Sequence, residues 1–415
     1  MPTTHASTLD ALTDAAAGHC DEATEADSVA GVAARWVASP GTTQEAAALI
    51  GVAADQGLHV VVRGRGTALH WAPPPREVDL VVSTHRLDTV VEHVAGDLVA
   101  VVGAGTTIDA LNARVGEHGQ QLALDQPIAG SSVAGAMSTT RSGPRRLLYG
   151  TPRDLVLGTT MVRSDGVVAR TGGKVVKNVA GYDLAKLLGG AYGTLGLITE
   201  LVVRLHPVPP VARWLRRTMP AAPAAAMALE LAGSQLAPTA VEVRRDAGTG
   251  DATVLVLLEG TERGVGERAS DAARLLGLDS ADGADVATAD LARLDAAEDD
   301  VVVKVAVPLT GVAGVLATTG EAEQRHGVAC RVQGSAGAGV LYAVLTGDAE
   351  PVAASIEALR GVAVGGSAVV LQAPASVRAL VDSWGPVAAL DLMRRVKAEF
   401  DPSNRFAPGR FVGGI

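Results

Sequence analysis

Arg63-Gly64-Arg65-Gly66-Thr67 follows directly on the apolar run Leu58-His-Val-Val-Val62. Glycines placed just after a strand let backbone N–H groups converge on a phosphate with no Cβ in the way. The chemistry on offer is pyrophosphate binding, and an ordinary tight turn reads from the same five residues equally well. A second segment, Pro127-Ile-Ala-Gly-Ser-Ser-Val-Ala-Gly-Ala-Met-Ser138, again combines small side chains with successive N–H donors. Within it Gly130, Ser131, Ser132, Val133, Ala134 and Gly135 are the candidates to lie against a diphosphate. A third stretch, Lys177-Asn-Val-Ala-Gly-Tyr-Asp-Leu184, leads to Gly193-Thr-Leu-Gly-Leu-Ile-Thr-Glu200, a tight glycine turn feeding a buried strand.

Competing chemistries find no support in the sequence. No GxGxxG opens a helix after the 58–62 run, where Trp71-Ala-Pro-Pro-Pro75 follows instead, and no GxxxxGK[ST] occurs. A Rossmann NAD site is therefore disfavoured and a P-loop excluded. Nine histidines are scattered without metal-ligand spacing, so no metal is expected. The only cysteines, Cys20 and Cys330, form no CxxC, which leaves neither a disulfide framework nor an iron–sulfur cluster. No GxSxG elbow or Cys/His pair marks a nucleophile. Redox chemistry here has to come from a bound cofactor.

Composition bounds the partners. Of 415 residues, 35 are basic and 45 acidic, a net charge of -10 that disfavours nucleic acid and anionic membranes as partners. No run of about 18 apolar residues is long enough to span a bilayer, and the first 27 residues lack a signal peptide's basic and apolar regions. The expectation is a cytoplasmic protein whose membrane contacts, if any, are made by partners. Aromatics are only 3% of residues, so the cores must be built from Ala, Val and Leu.

The glycine loops need strands and helices to hold them. Residues 1–27, acidic and aperiodic, are expected to form a flexible tail. From 28 to 210 the pattern reads as an α+β domain in two parts: a strand near 35–38, a helix from Thr42 or Thr43 through Gln56, strands at 58–62, 79–83 and 98–102, a helix at 107–117, a hairpin over Ser164-Asp165-Gly166 and a long strand at 197–205. His206-Pro-Val-Pro-Pro210 is stiff and cannot continue a ladder. Beyond it, residues 211–385 show two similar strand–helix–strand passes, which predict a duplicated, ferredoxin-like α+β domain. A last helix over 387–400 opens the segment 386–415.

Taken together, VVRGRGT, VVGAGTTIDALNARV, SGPRRLLYGTPRDLVLG, GGKVVKNVAGYDLAKLLGG and YGTLGLITELVVRLHPVP resemble the vanillyl-alcohol-oxidase or p-cresol-methylhydroxylase (PCMH) type of FAD-binding family, in particular its bacterial glycolate oxidase FAD-subunit branch. The closing Phe400-Asp-Pro-Ser-Asn-Arg-Phe-Ala-Pro-Gly-Arg410 resembles that family's FDPxxxxNPGR. The resemblance implies a two-part PCMH-type FAD domain, a cap domain over it, and a C-terminal return to the FAD domain. It implies that Arg63, Gly64, Arg65, Gly66 and Thr67, with Pro127 and Gly130 to Ala136, hold the FAD pyrophosphate. Gly193, Gly196 and Ile198 would meet the adenosine part and the flavin, and Tyr149, Gly150 and Asp154 would line the same cleft.

The chain departs from the family at Ala134 for Gly, Thr140 for Asn, Ala191 for Ser and Ala407 for Asn. Thr67 stands where a covalently linking His is usual, which implies non-covalent FAD, with His70 three residues on as an ordinary loop residue. Arg141, Arg145 and Arg146 are read as neutralising pyrophosphate, docking an acidic partner surface or forming a solvated face. The activity implied is oxidation of a small 2-hydroxy acid to a 2-oxo acid, in a complex with a second FAD subunit and an iron–sulfur subunit. The alternatives are an electron-relay subunit beside a catalytic sister, or a stand-alone flavin oxidase. No catalytic base is identifiable; Arg244, Arg245, Lys304, Arg331 and Gln333 are the polar candidates from the third domain.

Overall fold

The computed structural model describes residues 5–126, 128–174 and 182–415. Pro127 and the Lys177 to Gly181 part of the third motif therefore lie outside the described residues. Strands Trp36–Ala38, Leu80–Ser83 and Val60–Arg63 pair in parallel, and Cys20–Glu22 adds to one edge antiparallel. Helix Thr43–Asp55 buries Ala46, Leu49, Ile50 and Ala53, one face at helical spacing, against this sheet. Thr42 caps it by accepting from Glu45 N, and Gly57, at φ +69°, lets the chain turn out of it into the strand that ends at Arg63.

Among the described residues, 5–27 do not form the flexible tail expected. Helix His5–Ala15 and the strand Cys20–Glu22 pack on this first unit, with Leu12, Ala16 and Cys20 buried in its core. Leu9, Leu12 and Ala16 share one helical face, an apolar stripe masked by the acidic residues between them. Asp27 closes the segment with a 2.8 Å ion pair to Arg63.

A second, antiparallel sheet orders Val90–Val94, Val99–Gly103, Leu197–Arg204, Val156–Val162 and Val168–Gly172. Its central strand, Leu197–Arg204, is fed by the glycine turn. Gly196 sits at φ +145°, and a Cβ there would lie 2.5 Å from Met161 Cε and 2.8 Å from Val162 O, so only glycine fits.

After His206–Pro207, which pairs with Gln120–Gln121, the chain enters a seven-stranded antiparallel sheet. The strand–helix–strand–strand–helix sequence occurs twice, first from Val211–Pro220 to Glu262–Leu276 and again from Val301–Ala306 to Ala349–Val362, before the last strand Ser367–Gln372. One face of this sheet buries a large Val, Leu and Ala core under its helices. On the other, Val302, Val340, Tyr342, Val344 and Leu371 pack with Trp71 of the first unit. Among the described residues, no helix is long and apolar enough to cross a membrane.

The chain then returns to its start. Phe406, almost wholly buried, bridges to Val60, with Val60 N donating to Arg405 O and Ala407 N donating to Val60 O, both at 2.8 Å. Lys397 anchors this return. Its buried ammonium donates to Asp401 Oδ2 at 2.6 Å, Thr194 O at 2.8 Å and Phe406 O at 3.0 Å, fastening the last helix to the glycine turn. Removing one member of a buried pair leaves the other charge uncompensated, which costs about 3–5 kcal/mol. Lys397→Met is therefore expected to lower the unfolding free energy by that amount in a denaturant titration, while Arg263→Met, at an exposed pair, changes it by less than about 1 kcal/mol. Equal effects of the two would contradict the anchoring role.

Candidate functional site

The three glycine segments converge. Gly64 to Leu69 form one wall of a cleft, Ser132, Ala134, Gly135, Ser138, Thr139 and Arg141 a second, and Tyr192, Gly193, Gly196 and Ile198 a third. The space between the walls is about 740 Å³, counting the part open to solvent. Each wall comes from a local feature. The loop at 64–67 leaves the strand Val60–Arg63, helix Val133–Thr139 starts from its Ser132 cap, and the 193–196 turn is held by Lys397.

The walls approach closely. A Cβ on Gly64 would sit 2.5 Å from Ser132 Oγ, and one on Gly135 2.9 Å from the same atom. Gly66 differs: at φ +75° its Cβ would have no protein atom nearer than 3.9 Å, so it faces open space in the cleft. The loop arginines are spent on structure. Arg63 pairs with Asp27, and Arg65 Nε donates to Gly105 O at 3.0 Å, which leaves the loop's backbone to face a ligand.

Positive charge is nonetheless built in. Arg141, 3% exposed, donates through Nη2 to Thr67 Oγ1 at 3.0 Å and Ser131 Oγ at 3.1 Å, and through Nε to Thr139 Oγ1 at 3.1 Å. Its Cζ lies 5.0 Å from the centre of the Trp71 ring, a cation–π contact. Burial pulls its pKa down to about 10, and it stays protonated at neutral pH. Its Nη1 has no hydrogen-bond partner. Arg410, also buried, donates through Nη2 to Leu69 O at 2.8 Å and Trp71 O at 2.5 Å, with its Nε unpartnered. A desolvated cation with a free donor is costly unless an anion completes it. The chemistry of the cleft thus fits FAD: backbone and small residues for the diphosphate, and buried cations for its charge or for a neighbouring anionic substrate.

Above Arg141 the seven-stranded sheet contributes a polar row. Gln333, Tyr342 and Lys304 lie directly across from one another on three adjacent strands, on the same face as Val302 and Ala306. Burial, with the Arg146 charge nearby, lowers the Lys304 pKa to about 8. Tyr342, whose hydroxyl has no partner, feels the charges of both Arg141 and Arg146.

Other sequence-derived candidates lie elsewhere. Tyr149, Gly150 and Asp154 do not line the cleft. Tyr149 donates to Glu259 Oε2 at 2.9 Å, and Asp154 accepts from Thr151 N and Oγ1 at 2.8 and 2.7 Å, shaping with Gly150 the turn into the strand Val156–Val162. Gly130 and Val133 support the second wall from behind: Gly130 takes φ +74° in the turn before Ser131, and Val133 is buried with its N–H on Thr106 O. The arginine group is neither a solvated face nor a docking surface, because Arg141 is buried and Arg145 is bound to Asp125 at 2.7 Å. His70 lies near Gln372 and Arg378, outside the cleft. Of the third-domain candidates, Arg245 pairs with Glu323 on the far face, Arg244 with Asp246 in solvent, and Arg331 donates to Asp295 O. Arg410, Tyr192, Tyr342 and Glu242 were not singled out from sequence. Only the position of Arg410 at the end of the closing motif hinted at a role.

Residues 34–172 match the family described as an FAD binding domain, and residues 376–411 match the C-terminal domain of FAD linked oxidases. Similar curated proteins include an uncharacterized FAD-linked oxidoreductase of Mycobacterium tuberculosis, 38% identical over 172 residues, which are 41% of this chain and 38% of that protein. The D-lactate dehydrogenase of Archaeoglobus fulgidus is 36% identical over 41% of this chain and 38% of its own length. The glycolate oxidase subunit GlcE of Escherichia coli is 35% identical over 38% of this chain and 45% of its own length. The matches thus span less than half of each of these relatives. The fold is that of p-cresol methylhydroxylase, with a TM-score of 0.72 over 99% of this chain and 97% of that one at 14% identity. The chain thus carries an FAD binding domain at 34–172 and the C-terminal segment of FAD linked oxidases at 376–411, on the fold of p-cresol methylhydroxylase.

Proposed function

We propose that the chain binds FAD non-covalently in the glycine-walled cleft and oxidises a small 2-hydroxy acid to the 2-oxo acid, as the FAD-binding subunit of a glycolate-oxidase-like assembly. The observation that carries the reading is Arg141, a buried guanidinium whose Nη1 has no protein partner, set between the glycine loops and the polar row of Lys304 and Tyr342. When bound, FAD supplies a hydride acceptor. The chain's own residues would do the rest. Gly64, Gly66 and Gly135 admit the diphosphate to the backbone, and Thr67, hydrogen-bonded to Arg141, offers no imidazole for a covalent link. Arg141 would hold the substrate carboxylate, because a fork of N–H donors in a desolvated site suits a planar anion. The sheet closes over the site through Trp71, Tyr342 and Leu371 and excludes water.

The assembly follows from the electron count. With only Cys20 and Cys330 in the sequence, both buried, the chain carries no cluster of its own to pass electrons onward. The similarity to a glycolate oxidase subunit supports partner subunits, and we read these as a second FAD subunit and an iron–sulfur subunit. The test is anaerobic reduction of the bound flavin by glycolate and by D-lactate, followed by steady-state turnover with and without co-purified partners. Reduction by the chain alone, with fast turnover only in the assembly, is the expected pattern.

A further inference from the structure

Behind the cleft, between Ser142 to Arg146 and the seven-stranded sheet, lies a second and much smaller space. Five side chains line it with buried polar atoms left without a close hydrogen-bond partner: Ser142 Oγ, Arg146 Nη1, Glu242 Oε1, Ser335 Oγ and the Tyr342 hydroxyl, with Glu242 and Ser335 near enough to interact. One such orphan is an expense that proteins tolerate; five around one space point to a shared occupant. The volume open to the centre of a water molecule is about 10 Å³, the size for one water and too small for a substrate. The lining is polar on every side that matters. Glu242 stands across the ladder from Ser335, and Tyr342 lies on the next strand but one from Glu242, within electrostatic reach of it.

We propose that one ordered water fills this chamber, bridging Glu242, Arg146 and Tyr342, and that Glu242 takes up through it the proton released when a hydroxyl substrate in the adjacent cleft is oxidised. The inference rests on the proposed function for the identity of that substrate. Tyr342 is the connection, since it borders the chamber and also feels Arg141 in the cleft. The step balances. The substrate O–H bond would break and leave its electron pair on oxygen, which would become the carbonyl oxygen, with FAD, when bound, as the acceptor of the Cα hydride. The Tyr342 oxygen receives the hydroxyl proton as its own passes to the water, and the water's proton forms a new O–H bond on the Glu242 carboxylate.

The setting suits a proton acceptor. The charged or titratable groups facing Glu242 are Arg146 from helix Arg146–Tyr149, Asp125 and Tyr342, while its neighbour across the other ladder, Leu255, is apolar. Desolvation is the dominant influence and pushes the Glu242 carboxyl well above the usual carboxylate range, so it holds a proton where surface carboxylates do not. A carboxyl raised in this way, once it has lost its own proton, is a stronger proton acceptor than a surface carboxylate.

The test uses the full FAD-loaded chain, with Glu242→Gln and Tyr342→Phe as variants close in shape to the native residues. Wild type is expected to show the infrared carbonyl band of a buried protonated carboxylic acid, missing in Glu242→Gln, and an ordered water within hydrogen-bond distance of Glu242, Arg146 and Tyr342 in a crystal structure. Anaerobic flavin reduction by the 2-hydroxy acid should rise with pH as Glu242 loses its proton. Both variants should lose that limb and react about 100-fold more slowly, with flavin content unchanged. No water and no band, or an unchanged pH profile in Glu242→Gln, would overturn the proposal. If no 2-hydroxy acid reduces the wild-type flavin, it is the proposed function that fails, and the band and the water still decide whether the chamber is built as described.

Discussion

Gly66→Val is expected to give a folded protein without flavin. At φ +75° the position strains any side chain, and a β-branched one most, by about 1–2 kcal/mol, a shift of a few degrees in melting temperature for a chain of this size. The nearest protein atom to the Cβ position is Arg63 Cδ at 3.9 Å, so the valine side chain has room to enter the space where the loop's backbone must approach a diphosphate. Flavin content should fall at least tenfold, by the loss of about 1.4 kcal/mol or more of binding free energy. It is read from the supernatant after acid precipitation, which releases a flavin that is not covalently attached. Gly66→Ala, with similar strain but less bulk, should retain more flavin. Equal flavin in wild type and Gly66→Val would refute the placement of the pyrophosphate, and a yellow pellet after acid would refute non-covalent binding.

Arg141→Met is expected to keep the flavin and lose the substrate. The side chain's hydrogen bonds to Thr67, Ser131 and Thr139 are to neutral hydroxyls that can turn to one another, as Thr67 and Ser131 already lie 3.1 Å apart. What cannot be replaced is the desolvated cation. Truncating one partner of a buried charge pair costs about 2–5 kcal/mol, so flavin reduction at low substrate concentration should slow roughly 30- to 4000-fold. Arg141→Lys, which keeps the charge without the fork, should fall between the two. Loss of flavin in Arg141→Met, with normal reduction of whatever flavin remains, would put the guanidinium on the pyrophosphate and contradict its assignment to the substrate.

What the sequence could show was local. Gly64, Gly66, Gly135, Gly193 and Gly196 declare themselves because a loop that must bring backbone to a ligand uses glycine wherever it occurs, and all five line the cleft. The duplicated strand–helix pattern after residue 210 was legible for the same reason, since it repeats periodicities along the chain. The partners of the buried charged groups were not. Arg141 reaches Thr67 across 74 residues and Arg410 reaches Trp71 across 339, so neither partner is readable from its neighbours. Glu242 and Tyr342 look like ordinary strand residues until the order of the seven-stranded sheet sets them around one small chamber behind the cleft. In the opposite direction, Tyr149 and Asp154 sit within a motif that resembles the family, yet their side chains are consumed by Glu259 and by the Thr151 cap. The N-terminal helix was missed because its Leu9, Leu12 and Ala16 stripe is short and lies among acidic and small residues.

The central claim is that this cleft, with Arg141 and the polar row above it, brings a 2-hydroxy acid to a bound FAD. The most direct measurement is the visible spectrum of the purified, flavin-loaded chain during anaerobic addition of glycolate and of D-lactate. Bleaching of the flavin band by at least one of them, with one equivalent of 2-oxo acid formed per flavin, is the result expected. A flavin that stays oxidised with both, while dithionite bleaches it, would contradict the claim and leave the chain a flavin carrier for another subunit's chemistry.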